Sequence, residues 1–213
     1  MITTDELLSK SCVIPVLAIE DLGLAAPLAR ALADGGLRVV ELTLRTEHGL
    51  AAVSRMREAA PELVIGMGTV RTPTDVAKAI DAGSDFLVTP GSTPKTLQAI
   101  ANAGVPAMPA AATATEALIA QDFGFSALKM FPAERCGGIA WLKDIAGPMP
   151  DIVWCPSGGI GVDMVERYLA LANVECVGGS WIAPKATLAD AEWSTITDNA
   201  KKAVSFKPSV SDA

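Results

Sequence analysis

Eight short apolar segments recur along the chain, each followed by a stretch of helical length, and that alternation leaves few folds open. The candidate strands are residues 13–18, 38–45, 63–68, 85–89, 105–109, 126–131, 152–157 and 174–179. Between them lie helical stretches at 21–35, 47–60, 73–83, 93–103, 114–123, 138–146 and 162–171, with a last helix expected over 188–204 and a short N-terminal one over 4–10. Thr72-Pro73 and Thr93-Pro94 place a capping oxygen before a first-turn proline. Gly35-Gly36, Gly83 and Gly104 stand where helices should end. Near-continuous apolar strands alternating with helices imply a parallel α/β sheet covered by helices. For 213 residues a single closed (β/α)8 TIM barrel is the simplest arrangement, with an open doubly wound sheet as the competitor. No linker or charge break divides residues 1–213, so one domain is expected, with a frayed polar tail over 207–213.

Charge and residue counts exclude several function classes. The net charge is -7, with no run of five or six like charges, so neither nucleic acid nor an anionic membrane is expected as a partner. A phosphorylated small molecule stays open, because it needs only a local site. The four cysteines, Cys12, Cys136, Cys155 and Cys176, show no metal-type spacing and read as reduced packing residues. The one histidine, His48, excludes sites built from two or three histidines and reads as a surface or capping residue. No metal and no cofactor are expected. The first eight residues lack a basic segment and no apolar run is long enough to span a bilayer, so a cytoplasmic protein without a signal peptide is expected.

The unusual residues gather at the C-terminal ends of the strands, where barrels of this kind build their active sites. Strand alternation in Ala127-Leu128-Lys129-Met130-Phe131 puts Lys129 on the face opposite Leu128 and Met130. A strand-end lysine can send its ammonium to solvent. If both faces are buried, its amine points inward and can serve as a Schiff-base nucleophile. In Val40-Glu41-Leu42-Thr43-Leu44-Arg45 the polar set Glu41, Thr43 and Arg45 shares one face, with Arg45 nearest the mouth. Glu41 reads either as half of a structural ion pair or as a general acid/base beside Lys129. Arg45 is suited to a carboxylate. Gly66-Met67-Gly68-Thr69 ends the third strand, where glycines allow a ligand close approach or simply serve a turn, and Thr69 offers a rim hydroxyl. Thr89-Pro90-Gly91 ends the fourth with a rigid wall. Ser157-Gly158-Gly159 and Gly178-Gly179-Ser180 follow the seventh and eighth strands, a frequent phosphate site in eight-fold barrels. These residues favour a Schiff-base lyase over a proton-transfer isomerase.

Seven runs in order, VVELTLRTE (39–47), GMGTV (66–70), VTPG (88–91), LKMFPAE (128–134), GGI (137–139), CPSGGI (155–160) and VGGSW (177–181), resemble the aldolases of 2-keto-3-deoxy-6-phosphogluconate (KDPG) and 2-keto-4-hydroxyglutarate (KHG). The resemblance covers about residues 12–205. It implies a homotrimer of eight-fold barrels that performs metal-free class I aldol cleavage of a phosphorylated 2-keto acid. Lys129 then corresponds to the Schiff-base lysine and Glu41 to the general acid/base. Arg45 and Thr69 correspond to the groups holding the pyruvoyl carboxylate, and Pro90 and Phe131 to pocket walls. Ser157, Gly158, Gly159, Gly179 and Ser180 correspond to the phosphate side. Three positions depart from the family pattern: Ala110 for a glycine, Ser157 for a threonine and Gly161 for a serine. The alternatives are an aldolase for the C4-epimeric galactonate substrate, a phosphosugar isomerase or epimerase, and a non-catalytic barrel that binds a phosphorylated metabolite.

Overall fold

A computed structural model describes residues 3–206. The expected tail over 207–213 lies outside the described residues. The strands are β1 (Val13–Leu17), β2 (Val39–Thr43), β3 (Val64–Gly68), β4 (Phe86–Val88), β5 (Ala107–Met108), β6 (Ala110–Ala111), β7 (Ala127–Met130), β8 (Val153–Pro156) and β9 (Val177–Gly179). The helices are α1 (Thr4–Ser9), α2 (Ala25–Asp34), α3 (Gly49–Ala59), α4 (Pro73–Asp81), α5 (Pro94–Ala101), α6 (Ala114–Asp122), α7 (Gly138–Ala146), α8 (Val165–Leu169), α9 (Lys185–Ala189) and α10 (Trp193–Ser205).

Every strand pairing is parallel, so the architecture is α/β with a curled parallel sheet. Hydrogen bonding orders six strands as β5-β4-β3-β2-β1-β9 and three as β6-β7-β8. Isolated bridges Trp154↔Val174 and Ser157↔Gly178 connect β8 to the β9 segment. The expected strand over 105–109 is two pieces separated by Pro109, which has no N–H to give a ladder. Its carbonyl accepts from Lys129 N at 3.0 Å.

One further expectation needs correction. The helix expected over 188–204 is broken into α9 and α10. Ala191, with φ of 53°, has a left-handed backbone that cannot continue a right-handed helix. His48 occupies the N-cap position of α3 but makes no capping bond through its side chain. The threonines at Thr72 and Thr93 do cap, accepting from Asp75 N and Thr96 N, each ahead of a proline.

The apolar side chains form two layers. Val40, Leu42, Leu128 and Met130 pack outward with helix residues such as Leu28, Leu32, Val53 and Met56. Ile14, Val39, Phe86, Met108, Ala127, Cys155 and Cys176 pack inward, closed below by Leu7 and Leu8 of α1. Inside this layer the Cys155 thiol hydrogen-bonds Cys176, and with burial it holds the Cys176 thiol well above the usual cysteine value. Cys176 is therefore a neutral packing group.

Phe86 fits because Gly66 has no side chain: a Cβ there would lie 2.3 Å from the Phe86 ring. Gly66→Ala is expected to destabilise the fold by about 1–3 kcal/mol through overpacking. Gly91→Ala, which meets nothing within 4 Å, should stay within about 0.5 kcal/mol. Urea unfolding of the two variants checks the contrast.

Candidate active site

The site begins with register. β7 and β2 each turn alternate residues inward, and the inward residues above Ala127 and Val39 are Lys129 and Glu41. Both are buried, with 5% and 3% of their surface exposed. Lys129 Nζ donates to Glu41 Oε1 at 3.0 Å and to Oε2 at 3.1 Å. The inward-pointing lysine and the paired glutamate therefore come together, and the solvent-reaching lysine does not occur. The Phe131 ring, just past the end of β7, stands with its centroid 5.5 Å from Nζ.

Space for the pair comes from glycine. A Cβ on Gly68 would lie 2.0 Å from Glu41 Oε1, so this residue makes room for the carboxylate itself. The sequence reading had Gly66 and Gly68 serving a ligand or a turn. Instead they admit a phenyl ring and a carboxylate of the same chain. Thr69 follows with φ of 62°, a conformation uncommon for a β-branched residue.

β2 ends at Thr43, so Arg45 stands in the turn beyond it rather than in the strand. Thr43 donates its hydroxyl to Leu17 O at 2.9 Å and accepts from Arg45 Nε at 3.1 Å. This chain of bonds ties the Arg45 side chain to the ends of β1 and β2. Arg45 and Ser180 line one cavity of about 600 Å³ with Val16, Ala18, Trp181 and Lys185.

On the opposite side, Ala110 is the register partner of Lys129 and Cys155 the other. Ala110 N donates to Thr89 Oγ1 at 2.8 Å, and Thr89 also pairs with Ser92 at 2.8 Å. Thr89 thus ties the Pro90 loop to the strand beside the lysine. No local signal points to this tie, because its partner is a backbone group 21 residues away.

The loop after β8 turns on Gly158 and Gly159, with φ of 97° and 87°. Ser157 is buried, and its hydroxyl packs where a Cβ of Gly178 would be, 2.4 Å away. Gly178 thus brings β9 against the start of the loop after β8. Lys185 and Glu20, also absent from the sequence reading, form an exposed ion pair of 2.8 Å across the cavity edge. No spacing signal links those two positions.

The family model for KDPG and KHG aldolase matches residues 4–199. The chain belongs to the KDPG and KHG aldolase family. A 2-dehydro-3-deoxy-phosphogluconate aldolase of Pseudomonas aeruginosa is 42% identical over 200 residues, covering 94% of this chain and 91% of that one. A KHG/KDPG aldolase of Escherichia coli is 38% identical over 202 residues, covering 95% of each. The crystal structure of a KDPG aldolase from Legionella pneumophila, with pyruvate captured as a covalent carbinolamine intermediate, superposes with a TM-score of 0.91. It is 40% identical, with 94% of this chain and 97% of that chain covered.

The buried pair sets a stability prediction for any member built this way. Lys129→Met leaves an unpaired carboxylate and should cost about 3–5 kcal/mol. The double variant Lys129→Met/Glu41→Leu should recover most or all of that loss. Chemical denaturation of the single and double variants checks it.

Proposed function

We propose that this chain is a class I aldolase that cleaves 2-keto-3-deoxy-6-phosphogluconate to pyruvate and glyceraldehyde 3-phosphate, and that it also cleaves 2-keto-4-hydroxyglutarate to pyruvate and glyoxylate. The observation that carries the reading is the buried amine of Lys129 within hydrogen-bond reach of both oxygens of Glu41. A nucleophile and its base need that geometry, and a phosphosugar isomerase or a silent binding barrel has no use for it.

The reaction runs on this pair. Nζ passes a proton to Glu41 and attacks the C2 ketone, forming a carbinolamine. Glu41 returns the proton to the leaving oxygen, water departs, and an iminium forms. The Glu41 carboxylate, through a water, then takes the C4 hydroxyl proton. The C3–C4 bond breaks, with its electrons moving into the iminium. Glyceraldehyde 3-phosphate leaves, and the enamine of pyruvate stays on Lys129. Glu41 gives its proton to C3, and hydrolysis of the iminium releases pyruvate and restores the amine. One carboxylate serves every step because its protonation alternates through the cycle.

Arg45 and Thr69 hold the carboxylate of the pyruvoyl end, and Pro90 and Phe131 wall the reacting carbons. Ser157, Gly158, Gly159, Gly179 and Ser180 receive the phosphate through backbone N–H groups and hydroxyls. Support for that side comes from the contact of Ser157 with the Gly178 backbone, which makes one cradle of the two loops. We read the curled sheet as a closed eight-fold barrel that makes one domain of the described residues. The β8–β9 bridges and the Pro109–Lys129 bond support that reading, since they link the two hydrogen-bonded groups at both seams. The family resemblance supports a homotrimer in the cytoplasm. Among the described residues no helix is long and apolar enough to cross a membrane.

Incubation with pyruvate and borohydride should leave one pyruvate-derived adduct on Lys129, located by peptide mass spectrometry. Lys129→Ala should lose both adduct and turnover while staying folded. Absence of the adduct in folded wild-type protein removes the Schiff-base mechanism. Gly68→Ala should lower kcat by about 100-fold, because its methyl displaces the Glu41 carboxylate. Assays of both C4 epimers decide between the gluconate and galactonate substrates.

A further inference from the structure

Tyr168 of α8 is fully buried, and its hydroxyl takes no part in the chemistry above. It donates to Glu134 Oε1. Burial, with Glu134 as acceptor, pushes the phenol well above the usual tyrosine value, so it remains a donor. Glu134 lies five residues beyond Lys129, on the segment that leaves β7.

That segment runs directly beside the loop after β8. Ser157 N donates to Met130 O at 2.9 Å, Ala133 N to Ser157 O at 2.8 Å, and Glu134 N to Gly158 O at 3.2 Å. A Cβ on Gly159 would lie 2.9 Å from Glu134 Cβ, so the glutamate forms the floor beneath that residue. On the other side of Glu134, a Cβ on Gly138 would lie 2.9 Å from both Glu134 Oε1 and the Tyr168 hydroxyl. Three elements thus close on one carboxylate: the loop after β8, the start of α7, and α8. The bond from Tyr168 turns the negative charge toward α7 and α8. Released, that carboxylate could swing toward Gly159 and meet an arriving anion with like charge.

We infer that Tyr168 and Glu134 are positioning residues for the phosphate end of the substrate, holding the 157–159 loop in its anion-receiving form and keeping the Glu134 carboxylate turned away from it. The inference rests on the aldolase reading above. It predicts a division of effects, because the pyruvoyl end is held elsewhere, at Lys129, Arg45 and Thr69.

Tyr168→Phe removes only the hydroxyl. Its KM for 2-keto-3-deoxy-6-phosphogluconate should rise roughly tenfold, the effect of losing a hydrogen bond to a charged group. Borohydride trapping of pyruvate on Lys129 should proceed at the wild-type rate. Glu134→Ala should show the same division. Glu134→Gln keeps an acceptor oxygen for Tyr168 and loses the charge, so its KM should stay within about twofold of wild type. An unchanged KM in Tyr168→Phe overturns the inference, as does a rise in KM matched by an equal loss of pyruvate trapping, which marks a general structural role. Glu134→Gln as impaired as Glu134→Ala overturns it too. Failure of the aldolase reading looks different: wild-type protein would then trap no pyruvate at all.

Discussion

A lysine and a glutamate held together inside a protein dictate much of what surrounds them. Taking both charges out of water is costly, and the cost is offset only if the two groups meet at good geometry. Here the amine reaches both carboxylate oxygens, so each charge is answered. To allow that, β2 and β7 must turn Glu41 and Lys129 inward in matching layers, and β3 must bring a residue without a side chain against the carboxylate. A shift of one residue in either strand would turn its polar member outward and an apolar one inward. The apolar layer of Phe86, Met108, Cys155 and Cys176 beneath keeps the pair dry from that side.

Beyond the pair, the proposed reading divides the site along the substrate, with Arg45, steadied by Thr43, on the side toward β1 and β2 and the 157–159 loop on the side toward β8 and β9. β7 joins the pair to that loop: Lys129 sits in it, and Met130, Ala133 and Glu134 hydrogen-bond the backbone of residues 157–158. Ala110, in register with Lys129, places a methyl group on the strand beside the buried pair.

Much of this was legible in the sequence because its causes are local. Alternation alone assigned the inward faces of β2 and β7, since side chains in a strand repeat every second residue. Thr-Pro pairs marked the starts of α4 and α5 through chemistry within one turn. Features that escaped depend on distant partners. Gly68 looks like any turn glycine until Glu41, 27 positions earlier, is seen to fill its space. Tyr168 meets Glu134 across 34 residues, and Thr89 meets Ala110 across 21. The break at Ala191 escaped for another reason: alanine favours helix, and only its backbone angle in the folded chain ends α9 and sets α10 apart.

The short helix α1 gives the molecule a plug. Leu7 and Leu8 close the inner layer from below and keep its base apolar. In the proposed reaction pyruvate stays bonded to Lys129 as an enamine once the C3–C4 bond breaks, so the aldehyde departs first and hydrolysis frees pyruvate behind it. Run in reverse, the same bond makes pyruvate the first guest and the aldehyde the second. The order of traffic lies in that one bond, and the six residues of α1 serve the dry layer on which its lysine stands.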